Sequence, residues 1–111
     1  MKKQKRDRII RIRWVDADGI YVPLDGRTLE RPERAAARWT EQWAGPENVI
    51  YGHAVRALSD PVIEGRTFGI DTGCVFGGRL TAMVLYEGHE QVEFVQVRAR
   101  ASYHEPLLDT D

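Results

Sequence analysis

The residue pattern predicts an α+β domain: a mixed or antiparallel β-sheet of about six strands with one main helix. Three observations predict it. Short stretches alternate apolar and polar residues with the period of a half-buried strand, each bounded by Gly, Asp or Pro turns. One alanine-rich stretch, Glu33 to Ala44, instead places Ala36, Trp39 and Trp43 at helical spacing. No internal repeat or low-complexity linker divides the 111 residues, which are therefore read as a single domain, 1–111.

Taken in order, residues 1–7 are a basic tail leading into a strand over Arg8 to Val15, with Ile10, Ile12 and Trp14 on one face and Arg11 and Arg13 on the other. Asp16 to Gly19 is a turn, and Ile20 to Leu24 is the returning strand, which Pro23 directs to a sheet edge. After a loop beginning at Asp25-Gly26, Pro32 suits the first turn of the helix, and Gly45-Pro46 closes it. On this helix Trp39 and Trp43 read as core anchors, with Arg34, Arg38 and Glu41 turned away. Val49 to Tyr51 is the next strand. Ala54 to Arg66 is a surface loop with a short strand at Val62-Ile63, and Thr67 to Asp71 is a strand running into Thr72-Gly73. Gly77-Gly78 permits a change of direction before the strand Arg79 to Tyr86, which a turn at Glu87 to Glu90 joins to the strand Gln91 to Arg98. The segment 99–111 reads as a frayed tail.

Composition narrows the function classes. A formal net charge of -1 offers no general attraction to polyanions. The charge is uneven, because Lys2, Lys3, Lys5, Arg6, Arg8, Arg11 and Arg13 crowd the start against Asp7, while Glu105, Asp109 and Asp111 lie near the end. Such a basic arm can neutralise nucleic-acid phosphates, but no aromatic residue interleaves it, which favours a solvated tail. The lone Cys74 cannot form an internal disulfide and has no nucleophile signature around it, so it reads as a small apolar residue. No apolar run approaches the roughly 20 residues a membrane helix needs, and no apolar segment follows the N-terminal charges, so a cytoplasmic location is expected.

The rest of the chain is organised around Val49 to Ala82. Its first block, VIYGH, ends on Gly52-His53, which places an imidazole at a strand end where the missing Cβ of Gly52 allows close approach. Its second block is IDTGCVFGGRLTA, from Ile70 to Ala82. Together, VIYGHAV and IDTGCVFGGRLTA resemble the C-terminal part of calcineurin-like metallophosphoesterases, the superfamily of bacterial serine/threonine protein phosphatases and symmetrical diadenosine tetraphosphatases. The resemblance covers 47–98 well and the part before Glu47 poorly.

This resemblance implies a portion of an αββα sandwich and a hydrolase acting on a phosphoprotein or a dinucleoside polyphosphate. In such enzymes two divalent ions, manganese or similar, clamp the phosphoryl group and lower the pKa of a bridging water. It implies that His53 is a metal ligand, with Ala54 where the family commonly has Thr or Ser. Asp71 is implied as loop support, its carboxylate capping backbone N–H groups, more than as a ligand. Gly77-Gly78 matches no phosphate-loop spacing, and Arg56 and Arg79 are ordinary surface candidates for a phosphate. His89 falls in a hairpin turn and His104 in the tail.

The family's DxH, GDxxD and GNH motifs are absent, and no histidine precedes Gly52. A metal centre needs three to six protein ligands, so this chain alone is expected to be inactive or nearly so. It reads either as a truncated C-terminal region whose catalytic half lies on another chain or as a binding or assembly module that has lost the metal. A small nucleic-acid-binding β protein is the remaining alternative. The sheet face that the sandwich normally covers is expected to be covered by a homodimer, by the missing N-terminal half, or by the helix of Trp39 and Trp43.

Overall fold

The computed structural model describes residues 11–25 and 28–109. The basic tail, the start of the first predicted strand, Gly26 and Asp111 lie outside these residues. The described elements are β1 (Trp14–Val15), β2 (Tyr21–Val22), β3 (Ala37–Arg38), α1 (Trp39–Gln42), β4 (Val49–Tyr51), β5 (Val62–Glu64), β6 (Thr67–Gly69), β7 (Arg79–Leu85) and β8 (Val92–Arg98). The class is α+β, as predicted. The strands form three small sheets rather than one, in the orders β2-β1-β3, β4-β6-β5 and β7-β8.

In the first sheet, β1 pairs antiparallel with both neighbours, and β2 is an edge, as Pro23 requires. The Asp16 carboxylate shapes the connecting turn by accepting the N–H groups of Asp18 and Ile20, both at 2.9 Å. Trp14, Val22 and Ala35 pack into the core cluster, with Leu24 against it. One expectation is corrected here. Arg13 does not lie on a solvent face; it is buried along with Trp14 and Val15.

The twelve-residue helix shrinks to the four residues of α1. The backbone before it is drawn into β-pairing: Ala36 donates to the Val15 carbonyl at 2.9 Å and Trp39 to the Arg13 carbonyl at 3.1 Å. An isolated alanine-rich turn gains little from its own hydrogen bonds, so these cross-strand bonds prevail. Pro32 opens a turn closed by Ala35 N–H instead of a helix. Arg38 is buried, contrary to its expected outward position, and Trp43 is 41% exposed, with its indole N–H on the Glu47 carbonyl. Trp39 alone acts as an anchor, edge-on to Tyr51 at 5.3 Å.

In the second sheet β4 runs parallel to β6, and β5 antiparallel to it. The register sets Ile50, Phe68 and Ile63 side by side on one face, where Ile50 and Ile63 remain exposed. In the third, Leu80 faces Val97 and Ala82 faces Val95. Leu80, Val95 and Val97 are 63%, 55% and 63% exposed, so α1 does not fold across this face.

The segment after Ala99, expected to fray, is held at several points. Phe76 bridges Ser102, Tyr103 donates to the Val75 carbonyl at 2.8 Å, and Asp109 is inserted into the fold at 1% exposure. No described helix is long and apolar enough to cross a membrane.

Candidate functional site

The loops after β4 and β6 meet, because their strands are parallel neighbours whose ends point the same way. This brings Gly52, His53 and Asp71 together. One Asp71 oxygen accepts the N–H of His53 at 2.9 Å and the other accepts that of Gly73 at 3.1 Å. The carboxylate thus fastens the end of one strand to the loop of the next. Held so, His53 adopts a left-handed backbone with φ of 68°, the only described non-glycine residue to do so. Histidine tolerates this region better than most residues, but the conformation still costs free energy, and Asp71 holds it in place.

Gly52 is not crowded by the chain, since a Cβ there would find only the Asp71 Cβ, at 4.0 Å. The space beside it is open to something outside the described residues.

His53 lines a cleft of about 410 Å³ together with Arg11, Arg13, Tyr21, Pro23, Leu24, Thr28 and Leu29. The lining combines two guanidinium groups, an imidazole and two hydroxyls with apolar side chains. Such a lining suits a phosphate group, since guanidinium forks match its oxygens. Among the motif candidates only His53 belongs to this cleft. The first-sheet arginines were hidden from sequence reading because strand alternation assigns them to a solvent face. The fold places them in one cleft with His53.

The other candidates are committed elsewhere. Arg56 pairs with Glu64, which also accepts from Thr40 at 3.0 Å. Arg79 donates to Gln96 at 2.9 Å. His104 leans on Phe76, His89 sits in the β7–β8 turn, and Cys74 is a half-buried free thiol. Among the described residues no group of three or more His, Cys, Asp or Glu side chains is placed to hold a metal ion. His53 offers one imidazole, and by themselves the described residues do not fit a two-metal centre.

The loop of the second motif is built on packing. Gly73 N–H is capped by Asp71, and its carbonyl accepts from Phe76 and Gly78, both at 2.9 Å. Thr72 and Thr81 hydroxyls lie 2.6 Å apart and are buried, with Gln96 donating to Thr81 at 3.0 Å. These residues tie the third sheet to the site loop and carry none of the candidate chemistry.

No family model matches the chain. Curated relatives do. It is 38% identical over 102 residues to the asymmetrical bis(5'-nucleosyl)-tetraphosphatase PrpE of Oceanobacillus iheyensis, covering 92% of this chain and 35% of the relative. The same-named proteins of Bacillus subtilis and Geobacillus thermodenitrificans are 36% identical over 90 residues and 39% identical over 64. These matches cover 81% and 58% of this chain, and 32% and 25% of the relatives. The Oceanobacillus match is about twice as long as the stretch 47–98, so the likeness extends well beyond the two motifs. Where the motif resemblance points to the symmetrical tetraphosphatases and the protein phosphatases, these names specify the asymmetrical type. The chain spans between a quarter and about a third of the length of these relatives, and it is similar to that part of enzymes named as dinucleoside tetraphosphatases.

Proposed function

We propose that this chain is the C-terminal region of a metal-dependent phosphoesterase acting on dinucleoside polyphosphates, and that it does not turn over substrate alone. What carries the reading is His53. It stands in a motif that resembles that of phosphoesterases, in a left-handed backbone whose N–H the Asp71 carboxylate accepts, and it lines a cleft of about 410 Å³ together with Arg11 and Arg13. The likeness to enzymes named as tetraphosphatases supports the substrate class, and the partial coverage of those enzymes supports the need for further residues. In this reading His53 contributes one imidazole to a metal, manganese or similar, whose other ligands come from another polypeptide or from sequence outside this chain. Arg11 and Arg13 attract and orient the phosphate, and Asp71 keeps the imidazole at the cleft.

The exposed Leu80, Val95 and Val97 face favours a second reading, an assembly module that keeps the sheet for contact and no longer serves catalysis.

One experiment separates them. Manganese binding is measured by calorimetry on the chain and on His53→Ala. Diadenosine tetraphosphate hydrolysis is then measured with the part of the Oceanobacillus relative that this chain does not match supplied in trans. The phosphoesterase reading expects no hydrolysis by the chain alone, and hydrolysis by the mixture that falls at least about a hundredfold in His53→Ala. Formation of a stable mixture with no hydrolysis and no manganese binding would leave the assembly reading.

A further inference from the structure

The exposed strap that ends the described chain has one buried residue. Positions 101–107 are all exposed, Leu108 is half-buried, and Asp109 is 1% exposed. Its carboxylate is held by two arginines, Arg13 just before β1 and Arg38 at the end of β3. Arg13 Nε lies 2.6 Å from Oδ2, and Arg38 Nη1 donates to Oδ1 at 3.1 Å. Arg38 Nη2 donates to the Asp109 carbonyl at 3.1 Å, and Asp109 N–H donates to the Val55 carbonyl at 2.5 Å. Behind the arginines is Trp14, with the Arg38 guanidinium 4.4 Å from its ring centroid. A carboxylate brought across 71 positions of sequence into a two-arginine clamp is bound much as an external anion would be.

Arg13 lines the cleft beside His53 as well as the small cavity that Asp109 and Arg38 also line, so the two spaces share one residue. Arg11 and Arg13 both line the cleft, and Arg13 is the residue that Asp109 also engages.

We infer that Asp109 is a displaceable internal anion, occupying a two-arginine site that takes a phosphate group reached through the cleft beside His53. The carboxylate lowers the apparent phosphate affinity in proportion to the fraction of time it is seated. A phosphate bound at Arg13 and Arg38 in turn releases the strap. The inference stands on the clamp and needs no metal, so it is tested with divalent ions removed and its outcome is separate from that of the phosphoesterase reading.

The test compares the full chain with Asp109→Asn by calorimetric titration of inorganic phosphate at ionic strength held constant with sodium chloride. AMP is titrated in parallel to distinguish free phosphate from a nucleotide's. Trp14, stacked under Arg38, supplies a fluorescence readout. The expected result is phosphate affinity about tenfold or more higher in Asp109→Asn, lost again when Arg38→Leu is added. A preference for AMP assigns the site to nucleotide phosphates, and equal or weaker AMP binding assigns it to free phosphate. Equal affinities in the full chain and Asp109→Asn, or binding that survives Arg38→Leu, would overturn the inference. Where Asp109→Asn melts too low to titrate, thermal rescue is read instead: phosphate must raise its Tm more than equal ionic strength of chloride does, and failure to do so overturns the inference equally.

Discussion

Tyr51 sits at the end of β4, two residues before His53, with Trp39 edge-on to its ring and its hydroxyl buried beside Arg56. Burial pushes the phenol above its ordinary 10.0, and the Arg56 guanidinium pulls it back only part of the way. A raised folded-state value means that the fold favours the protonated phenol. The associated stability is therefore complete below the unfolded value of 10.0 and is lost as pH rises through the folded value above it. The expected outcome is a fall in Tm at alkaline pH that is shallower in Tyr51→Phe, read by thermal melts from neutral pH to about pH 11. Identical pH slopes in the two proteins would show that Tyr51 carries no such linkage.

At the scale of elements, the loop from Thr72 to Thr81 illustrates how a sequence motif becomes geometry. Gly78 lies buried where the chain turns into β7. A Cβ there would press on the Thr72 carbonyl oxygen and lie 2.9 Å from that of Gly73 and 3.0 Å from that of Leu58. These are backbone atoms, so the crowding cannot be relieved by a side-chain rotation. Gly78→Ala is expected to cost about 2–4 kcal/mol of stability, measured by urea denaturation, at the upper end of single-site effects. Gly52→Ala, in open space at the site, is expected to stay within about 0.5 kcal/mol of the parent in the same assay. The reverse order of these two would contradict the packing account.

For the whole molecule, the radius of gyration is 15.1 Å and the extents are 40 × 38 × 23 Å. A compact domain of this length has a radius near ~13 Å, so the chain is flatter and more open than its size requires. Among the described residues the three sheets are small and only six apolar residues are buried. Leu80, Val95 and Val97 of β7 and β8 stay in water on one face. We expect such a molecule to be marginally stable alone and to associate through that face. Val97→Lys should leave monomer stability within about 0.5 kcal/mol while shifting the sedimentation profile towards monomer. A profile unchanged by Val97→Lys and equally by Leu80→Lys would assign association to another surface.

Much of the fold class was legible because it rests on local chemistry. Asp16 to Gly19 is a turn by its own carboxylate and glycine, and β4, β7 and β8 follow β-branched and apolar runs that keep their register wherever they pack. The Gly52-His53 and Asp71-Gly73 motifs were likewise readable as one site region. What local pattern misassigned was whatever a distant residue recruits. Glu33 to Ala44 carries helical spacing, yet β1 claims the backbone at Ala36 to Trp39. Arg13 and Arg38 carry the signature of solvent-facing charge, yet Asp109, from a segment that reads as loose, draws both inside. By itself the sequence determined most of the strands, though not β3, together with the turns and the motif that points to phosphoesterase chemistry. Only the tertiary structure decided that Arg11 and Arg13 share a cleft with His53 and that Asp109 holds Arg13 and Arg38, because buried charge is placed by partners that long-range contact alone can supply.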